Sequence, residues 1–338
     1  MKHRAAFWKP LERNTVQCAL CPHHCTIKEG KRGICGVREN EQGTLYSLIY
    51  GSCSSMHDDP IEKKPLYHFY PGSLVLSLGS VGCTFRCEHC QNYEISIAGP
   101  EEMLFRDISP EQAVRAAHDH GCRGIAWTYN EPTIWHEYAL DTAKLAKKAG
   151  LYTVYVTNGY IEEAPLQELA PHLDAMNIDV KAFQDHFYKS VCKAHLEPVL
   201  RTCERAQQLG IHIELTYLII PGFNDALDDI KKFSYWVVEK LGRDTPVHFS
   251  RFHPDYKMTS IPATPLDTLL KAYESAKAAG IQYVYLGNIP HGNYENTICP
   301  SCGSLLVERH GFSAEIHGIK QGKCHTCGLK LPFRMDTQ

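Results

Sequence analysis

The chain has no long apolar run, no marked excess of charge of either sign and no apolar segment behind its basic first residues. Each absence removes a class of function. No stretch approaches the about 20 apolar residues that span a bilayer, and the opening MKHRAAFWKP lacks the apolar region of a secretory signal. No membrane partner is expected, and the chain reads as soluble and cytoplasmic. With 35 Lys and Arg against 38 Asp and Glu, the formal net charge is −3, so it carries no overall electrostatic footprint for nucleic acid. No Gly-x-Gly-x-x-Gly follows the first strand-like run, which leaves a dinucleotide site without its fingerprint.

What the chain has in quantity is cysteine, 15 in 338 residues. In a reducing compartment thiols serve more readily as metal ligands than as disulfides. Eleven fall into three clusters. The other four, Cys53, Cys122, Cys192 and Cys203, stand alone and are expected as small buried residues.

The central cluster is Cys83, Cys87 and Cys90, a C-x3-C-x2-C loop in Gly82-Cys-Thr-Phe-Arg-Cys-Glu-His-Cys-Gln-Asn92. Zinc sites are usually built from paired C-x2-C knuckles, whereas a four-iron cubane takes four thiolates. Three close cysteines with no fourth nearby in sequence would leave one iron open to an outside ligand. The loop follows the apolar run Leu74–Leu78, as a site at the C-terminal edge of a parallel sheet requires. Such a cluster would make the protein oxygen-sensitive.

The second cluster, Cys299, Cys302, Cys324 and Cys327, consists of two C-x2-C-Gly knuckles, which reads as a zinc ribbon or a rubredoxin-like iron centre. A segment that small and poor in large apolar residues often needs a metal to fold. The third cluster, Cys18, Cys21, Cys25 and Cys35, has the spacing of a compact metal site, with zinc and an auxiliary iron–sulfur cluster both open.

Between these clusters, β-branched apolar runs alternate with helical patterns, which argues for repeated β-α units and a parallel sheet. Strands are expected at 74–78, 124–128, 152–156, 175–180, 212–220, 247–252 and 283–286. Ser109-Pro110 with Gln112 forms a capping box with a first-turn proline, and Thr264-Pro265 with Asp267 repeats the start signal. About six units are too few for a closed eight-fold barrel. The fold expected is α/β, a partial, open (β/α)6 barrel over 71–290, with a Cys-rich cap over 1–70 and a four-Cys metal module over 291–338; a doubly wound sheet is the alternative.

In such a sheet, polar residues at strand ends point into one mouth. Thr128-Tyr-Asn130-Glu131-Pro132 ends the second strand, Thr157-Asn158-Gly159 the third and Asp179-Val-Lys181 the fourth; Glu214 and Thr216 face one side of the fifth if no bulge intervenes. His89 is a flat ring able to stack, or a solvent-facing loop residue. His248, Arg251 and Tyr256 are candidates for substrate binding.

On these residues the chain resembles the radical S-adenosylmethionine (SAM) enzymes, and along most of its length the radical SAM member of the AmmeMemoRadiSam system, a relative of the pyruvate formate-lyase activating enzymes. The stretches that carry the likeness are Cys21-Pro-His-His-Cys25, Gly33-Ile-Cys-Gly-Val-Arg-Glu-Asn40, Asp59-Pro-Ile-Glu-Lys-Lys-Pro-Leu66, the Cys83–Asn92 loop, Tyr129-Asn-Glu-Pro-Thr133, Phe249-Ser-Arg-Phe252 and the C-terminal knuckles. The resemblance implies a [4Fe-4S] cluster on Cys83, Cys87 and Cys90, with SAM at the open iron. Reductive cleavage of SAM would give a 5′-deoxyadenosyl radical that abstracts hydrogen from a substrate. Asn130, Glu131 and Pro132 match a Gly-Gly-Glu-Pro motif that binds the SAM amino group, with Tyr129-Asn130 in place of the two glycines. His89 matches a position near adenine, Thr157 and Asn158 suit the ribose, and Asp179, Lys181 and Glu214 complete the cofactor set. An external electron donor and Memo-like and AMMECR1-like partner proteins are implied. The alternatives are an activase that installs a glycyl radical on a partner protein, and a metal-dependent scaffold that binds protein or nucleic acid.

Overall fold

The seven runs expected as strands form one sheet. The computed structural model describes residues 2–289 and 292–336. An eighth strand, β1 (Ser55–Pro60), pairs antiparallel with β2 (Leu74–Gly79) at one edge; β3 (Gly124–Trp127), β4 (Tyr152–Thr157), β5 (Ala175–Asp179), β6 (His212–Ile219), β7 (Val247–Arg251) and β8 (Val284–Gly287) follow in parallel and in chain order. Strands β3 and β4 are buried along almost their whole length, as a sheet covered on both faces requires, and so read as apolar runs.

Six helices make the crossovers: α1 (Pro110–Asp119), α2 (His136–Lys148), α3 (Glu163–Leu169), α4 (Leu196–Gln208), α5 (Leu227–Trp236) and α6 (Leu266–Ala279). Helix α1 starts with the expected capping box, Ser109 Oγ accepting from Gln112 N and Gln112 Oε1 from Ser109 N at 2.8 Å. At α6 the start differs: the Thr264 hydroxyl donates to Ile219 O (2.6 Å) and accepts from Phe252 N (2.9 Å), so it ties two strand ends together and Pro265 takes the cap position. Small residues on the inner faces of α1 (Ala113, Ala117) and α2 (Ala139, Ala143, Ala146) are fully buried and let the helices lie close on the sheet.

The segment between β1 and β2 turns beneath the N-terminal ends of the strands and fills the sheet's floor. Asn177 Nδ2 donates to Pro65 O (2.7 Å), Tyr67 packs edge-on against His248, Phe69 stacks on His212 and Tyr70 on Tyr152. Residues 55–73 thus pack against the sheet, and the boundary expected at 70/71 falls within this segment.

The cap and the C-terminal module are each held by a buried arginine. Arg38 reaches Glu137 of α2 at 2.6 Å, with both side chains buried. In the module, Arg309 donates to Tyr67 O (2.7 Å), Thr297 Oγ1 (2.8 Å) and Glu295 O (3.0 Å), and lies over the Tyr67 ring. The module's β9 (Thr297–Ile298), β10 (Leu305–His310) and β11 (Ser313–Ile316) form a small antiparallel sheet. The boundary expected at 290/291 lies outside the described residues. No helix among the described residues is long and apolar enough to cross a membrane.

Candidate functional site

At the C-terminal ends of the strands lies a cavity of ≈530 Å³ lined by Cys83, Cys87, Cys90, His89, Asn130, Glu131, Thr157, Asn158, Asp179 and Lys181, together with Thr216 and Ser250. The cysteine loop follows β2 directly. Gly82 needs its φ of 83°, and a side chain there would meet the Cys35 carbonyl at 2.5 Å. Burial raises the Cys83 and Cys90 thiols, and at Cys87 a hydrogen bond with Cys192 comes first among the causes. Thiolates here call for the positive charge of a metal.

His89 is buried, and neither ring nitrogen has a partner. Burial, then the nearby Lys181 charge, lowers its pKa to about 3, so the ring is neutral at pH 7. Lys181 Nζ pairs with Asp179 Oδ2 at 2.7 Å, and that pairing outweighs burial and holds the ammonium charged.

Glu131 is a buried strap between strand ends. It accepts from Thr157 Oγ1 (2.7 Å), Asn158 N (2.9 Å) and Thr133 N (3.0 Å), while burial raises its pKa. Asn158 Nδ2 lies 2.9 Å from Thr84 Oγ1 and 3.7 Å from Cys83 Sγ. Asn130 donates to Gly82 O and accepts from Ser80 N, both at 3.0 Å, so this loop and the cysteine loop brace each other.

The departure at Tyr129 has a structural cause. Its φ is 71°, the left-handed region where glycine is usual. Compensation comes from the ring: the hydroxyl donates to Asp59 Oδ2 at 2.6 Å and Lys64 lies over its face at 4.8 Å.

Glu214 does not reach this cavity. Strands β5, β6 and β7 keep continuous register, so Glu214 and Thr216 do face the same side, but Glu214 sits at the floor. It accepts from His68 N (2.7 Å), His248 Nε2 (2.7 Å) and His212 Nε2 (3.0 Å). Burial alone would raise its pKa; hydrogen bonds and charge from His212 and His248 instead hold it well below the carboxylate range.

A second cavity of ≈780 Å³ shares Lys63, Gln91, Thr216, Ser250 and Asn288 with the first and extends to His248, Arg309 and Phe312. Of the substrate candidates, His248 lines it. Arg251 and Tyr256 line neither cavity: Arg251 Nε donates to Thr264 O at 2.9 Å, and Tyr256 stacks on Tyr93 at 4.5 Å.

Sequence reasoning missed the lysines. Lys63 and Lys64 enter the first cavity from the turn after β1 and share Asp59, at 2.9 and 2.7 Å. Burial lowers the Lys64 pKa to about 8 against the pull of Asp59. In the sequence the Asp59–Leu66 stretch serves only as part of the family likeness, with no role for its lysines; the fold brings them to the mouth. Cys192 was likewise read as an isolated buried residue. It is buried, but its carbonyl accepts from Arg86 N at 2.9 Å, which lays its backbone against the cysteine loop.

In the C-terminal module, the thiols of Cys299, Cys302, Cys324 and Cys327 all lie within 4.8 Å of one another, a group that could hold a metal ion. The amides of Gly303 and Gly328 close the two knuckles on Cys299 O (2.9 Å) and Cys324 O (2.8 Å), at φ of 76° and 77° that favour glycine. In the cap, Cys18, Cys21, Cys25 and Cys35 line a small cavity, and burial raises the thiols of Cys21, Cys25 and Cys35.

Comparison with known proteins agrees with this arrangement. Residues 78–233 match the model of the radical SAM superfamily. An uncharacterized protein of Methanocaldococcus jannaschii is 50% identical over 329 residues, 97% of this chain and 98% of that one. The pyruvate formate-lyase-activating enzyme of Clostridium pasteurianum is 25% identical over 198 residues, 54% of this chain and 81% of that enzyme. Among solved structures, a radical SAM methyltransferase from Sphaerobacter thermophilus aligns with a TM-score of 0.51 at 16% identity, covering 70% of this chain and 71% of that one, a likeness of fold. With three cysteines at the mouth of a parallel sheet and residues 78–233 matching the superfamily's model, the chain carries a radical SAM superfamily domain.

Proposed function

We propose that the protein binds a [4Fe-4S] cluster through Cys83, Cys87 and Cys90 and SAM in the adjoining cavity, within an open (β/α)6 partial barrel. The observation that carries this reading is the cavity wall itself: Cys83, Cys87 and Cys90 are the cysteines that line it among the described residues, beside a buried His89 ring whose two nitrogens have no partner. The donor set fits the groups. Thiolates suit iron, and unpartnered buried nitrogens are costly unless a ligand satisfies them.

When bound, the cluster and SAM supply a one-electron reductive cleavage that yields a 5′-deoxyadenosyl radical able to take hydrogen from a substrate. The chain's own residues orient and protect. Glu131 fixes the ends of β3 and β4 relative to each other, Asn158 stays beside Cys83, and the Asp179–Lys181 pair presents both charges to a zwitterion. His89, held neutral, offers a flat face and a donor without adding charge. The second cavity, which shares Lys63, Gln91, Thr216, Ser250 and Asn288 with the first, is the proposed route for the substrate.

The test is 5′-deoxyadenosine formation by anaerobically reconstituted protein with dithionite and SAM. Product above a Cys87→Ala control is expected; none refutes the reading. The likeness to a pyruvate formate-lyase-activating enzyme favours a second reading, a glycyl radical installed on a partner protein, detected by electron paramagnetic resonance of the mixed proteins. An external low-potential donor completes either scheme, and Memo-like and AMMECR1-like proteins are the proposed partners.

A further inference from the structure

The cap and the C-terminal module each bring four cysteines together, but at different spacings. In the module, Cys299 and Cys327 stand 3.7 Å apart, as do Cys302 and Cys324, and all four thiols fall within 4.8 Å. One tetrahedral ion with metal–sulfur bonds of about 2.3 Å sets its ligands about 3.8 Å apart. The module therefore has the size of a single ion.

The cap does not. Among the described residues, no three of Cys18, Cys21, Cys25 and Cys35 meet that 4.8 Å limit, yet all four line one cavity, walled by aliphatic side chains such as Leu20 and Ile27. Cys83, Cys87 and Cys90 show the same behaviour: they share a cavity and miss the limit. A four-iron cubane carries each thiolate on a separate iron, so its ligands must stand further apart than those of one ion. The cap quartet and the trio thus both fall outside the single-ion spacing of the module.

A second observation comes from Arg38. It is 1% exposed, lines the cap cavity, and spends only Nη2 on Ala6 O and Glu137. Its Nε and Nη1 have no partner. Buried guanidinium N–H groups without acceptors are costly, and sulfur atoms of a thiolate-ligated cluster would satisfy them while the cation balances the cluster's negative charge.

We infer that Cys18, Cys21, Cys25 and Cys35 hold a second four-iron cluster. It adjoins the first site: His23 Nε2 lies 2.7 Å from Thr84 O, and the Cys35 carbonyl abuts Gly82 next to Cys83. The inference rests on the proposed function for its comparison with the trio, and the experiment separates the two.

Full-length protein, reconstituted anaerobically with iron and sulfide, is assayed for iron, acid-labile sulfide and zinc, and by Mössbauer spectroscopy. The variants are Cys83→Ala/Cys87→Ala/Cys90→Ala and Cys21→Ala/Cys25→Ala. Wild type should hold about eight sulfides and each variant about four, the trio variant keeping a four-iron Mössbauer signature. A trio variant with no sulfide, or with zinc in the cap, overturns the inference. Should the trio variant fail to fold, the wild-type content decides: about four sulfides in wild type, retained by the cap variant, overturns it equally. Sulfide in the trio variant but none in the cap variant would instead leave the cap cluster standing and remove the one on the trio.

Discussion

Replacing Glu137 with glutamine should cost about 3–5 kcal/mol, because it removes the carboxylate that pairs with the buried Arg38 cation. The two side chains are 2% and 7% exposed and meet at 2.6 Å. Glu137 Oε1 also accepts from Ala6 N at 2.8 Å, and Arg38 Nη2 donates to Ala6 O at 2.8 Å, so one carboxylate joins cap, arginine and helix α2. Glutamine keeps the shape and the amide contact and removes only the charge. Domain stabilities are about 5–15 kcal/mol in all, so the loss should be plain in anaerobic urea unfolding at matched metal content, with earlier proteolysis of the cap. Arg38→Met/Glu137→Leu removes both charges and should recover most of the loss, since an apolar replacement of a buried pair is often neutral. A cost below about 1 kcal/mol for Glu137→Gln, or a double variant no more stable than the single, would refute the reasoning.

Two further outcomes follow from the buried charges at the floor and the mouth. The Glu214 pKa is depressed in the fold, so its stabilisation is present above the unfolded carboxylate pKa and is lost as pH falls through the folded one; Glu214→Gln should flatten the loss of stability below about pH 4.3 in acid titration of unfolding. Lys64 is depressed to about 8. Between that value and its unfolded pKa of about 10.4, the unfolded chain binds more protons, so stability should rise with pH across the window and the rise should vanish in Lys64→Met.

The parts of the fold legible in the sequence were those where one cause dominates. Strands buried on both faces must be apolar throughout, so 74–78, 124–128 and 152–156 announced themselves, and the Ser109 capping box was readable because its bonds are local. Strand β1, Ser-Met-His-Asp-Asp-Pro, was not readable: it is a polar edge strand whose pairing with β2 is specified only by its partner. Thr264 has the local chemistry of a cap but finds better partners in two strand ends. At the site, strand-end polars pointed the right way, yet distinguishing Glu131, which lines the mouth, from Glu214, which binds three groups at the floor, needs depth along the strand, and sequence periodicity carries only side. Lys63 and Lys64 reach the mouth, and Cys192 the back of the cysteine loop, through contacts between distant segments.

The central claim is an open iron at Cys83, Cys87 and Cys90 that SAM occupies. Its most direct test is the electron paramagnetic resonance spectrum of the reduced protein before and after SAM is added, with SAM labelled at its amino nitrogen and carboxylate oxygens. A shifted spectrum that carries hyperfine coupling to the label, absent in Cys83→Ala/Cys87→Ala/Cys90→Ala, is the predicted result; a reduced cluster whose spectrum is indifferent to SAM would contradict the account.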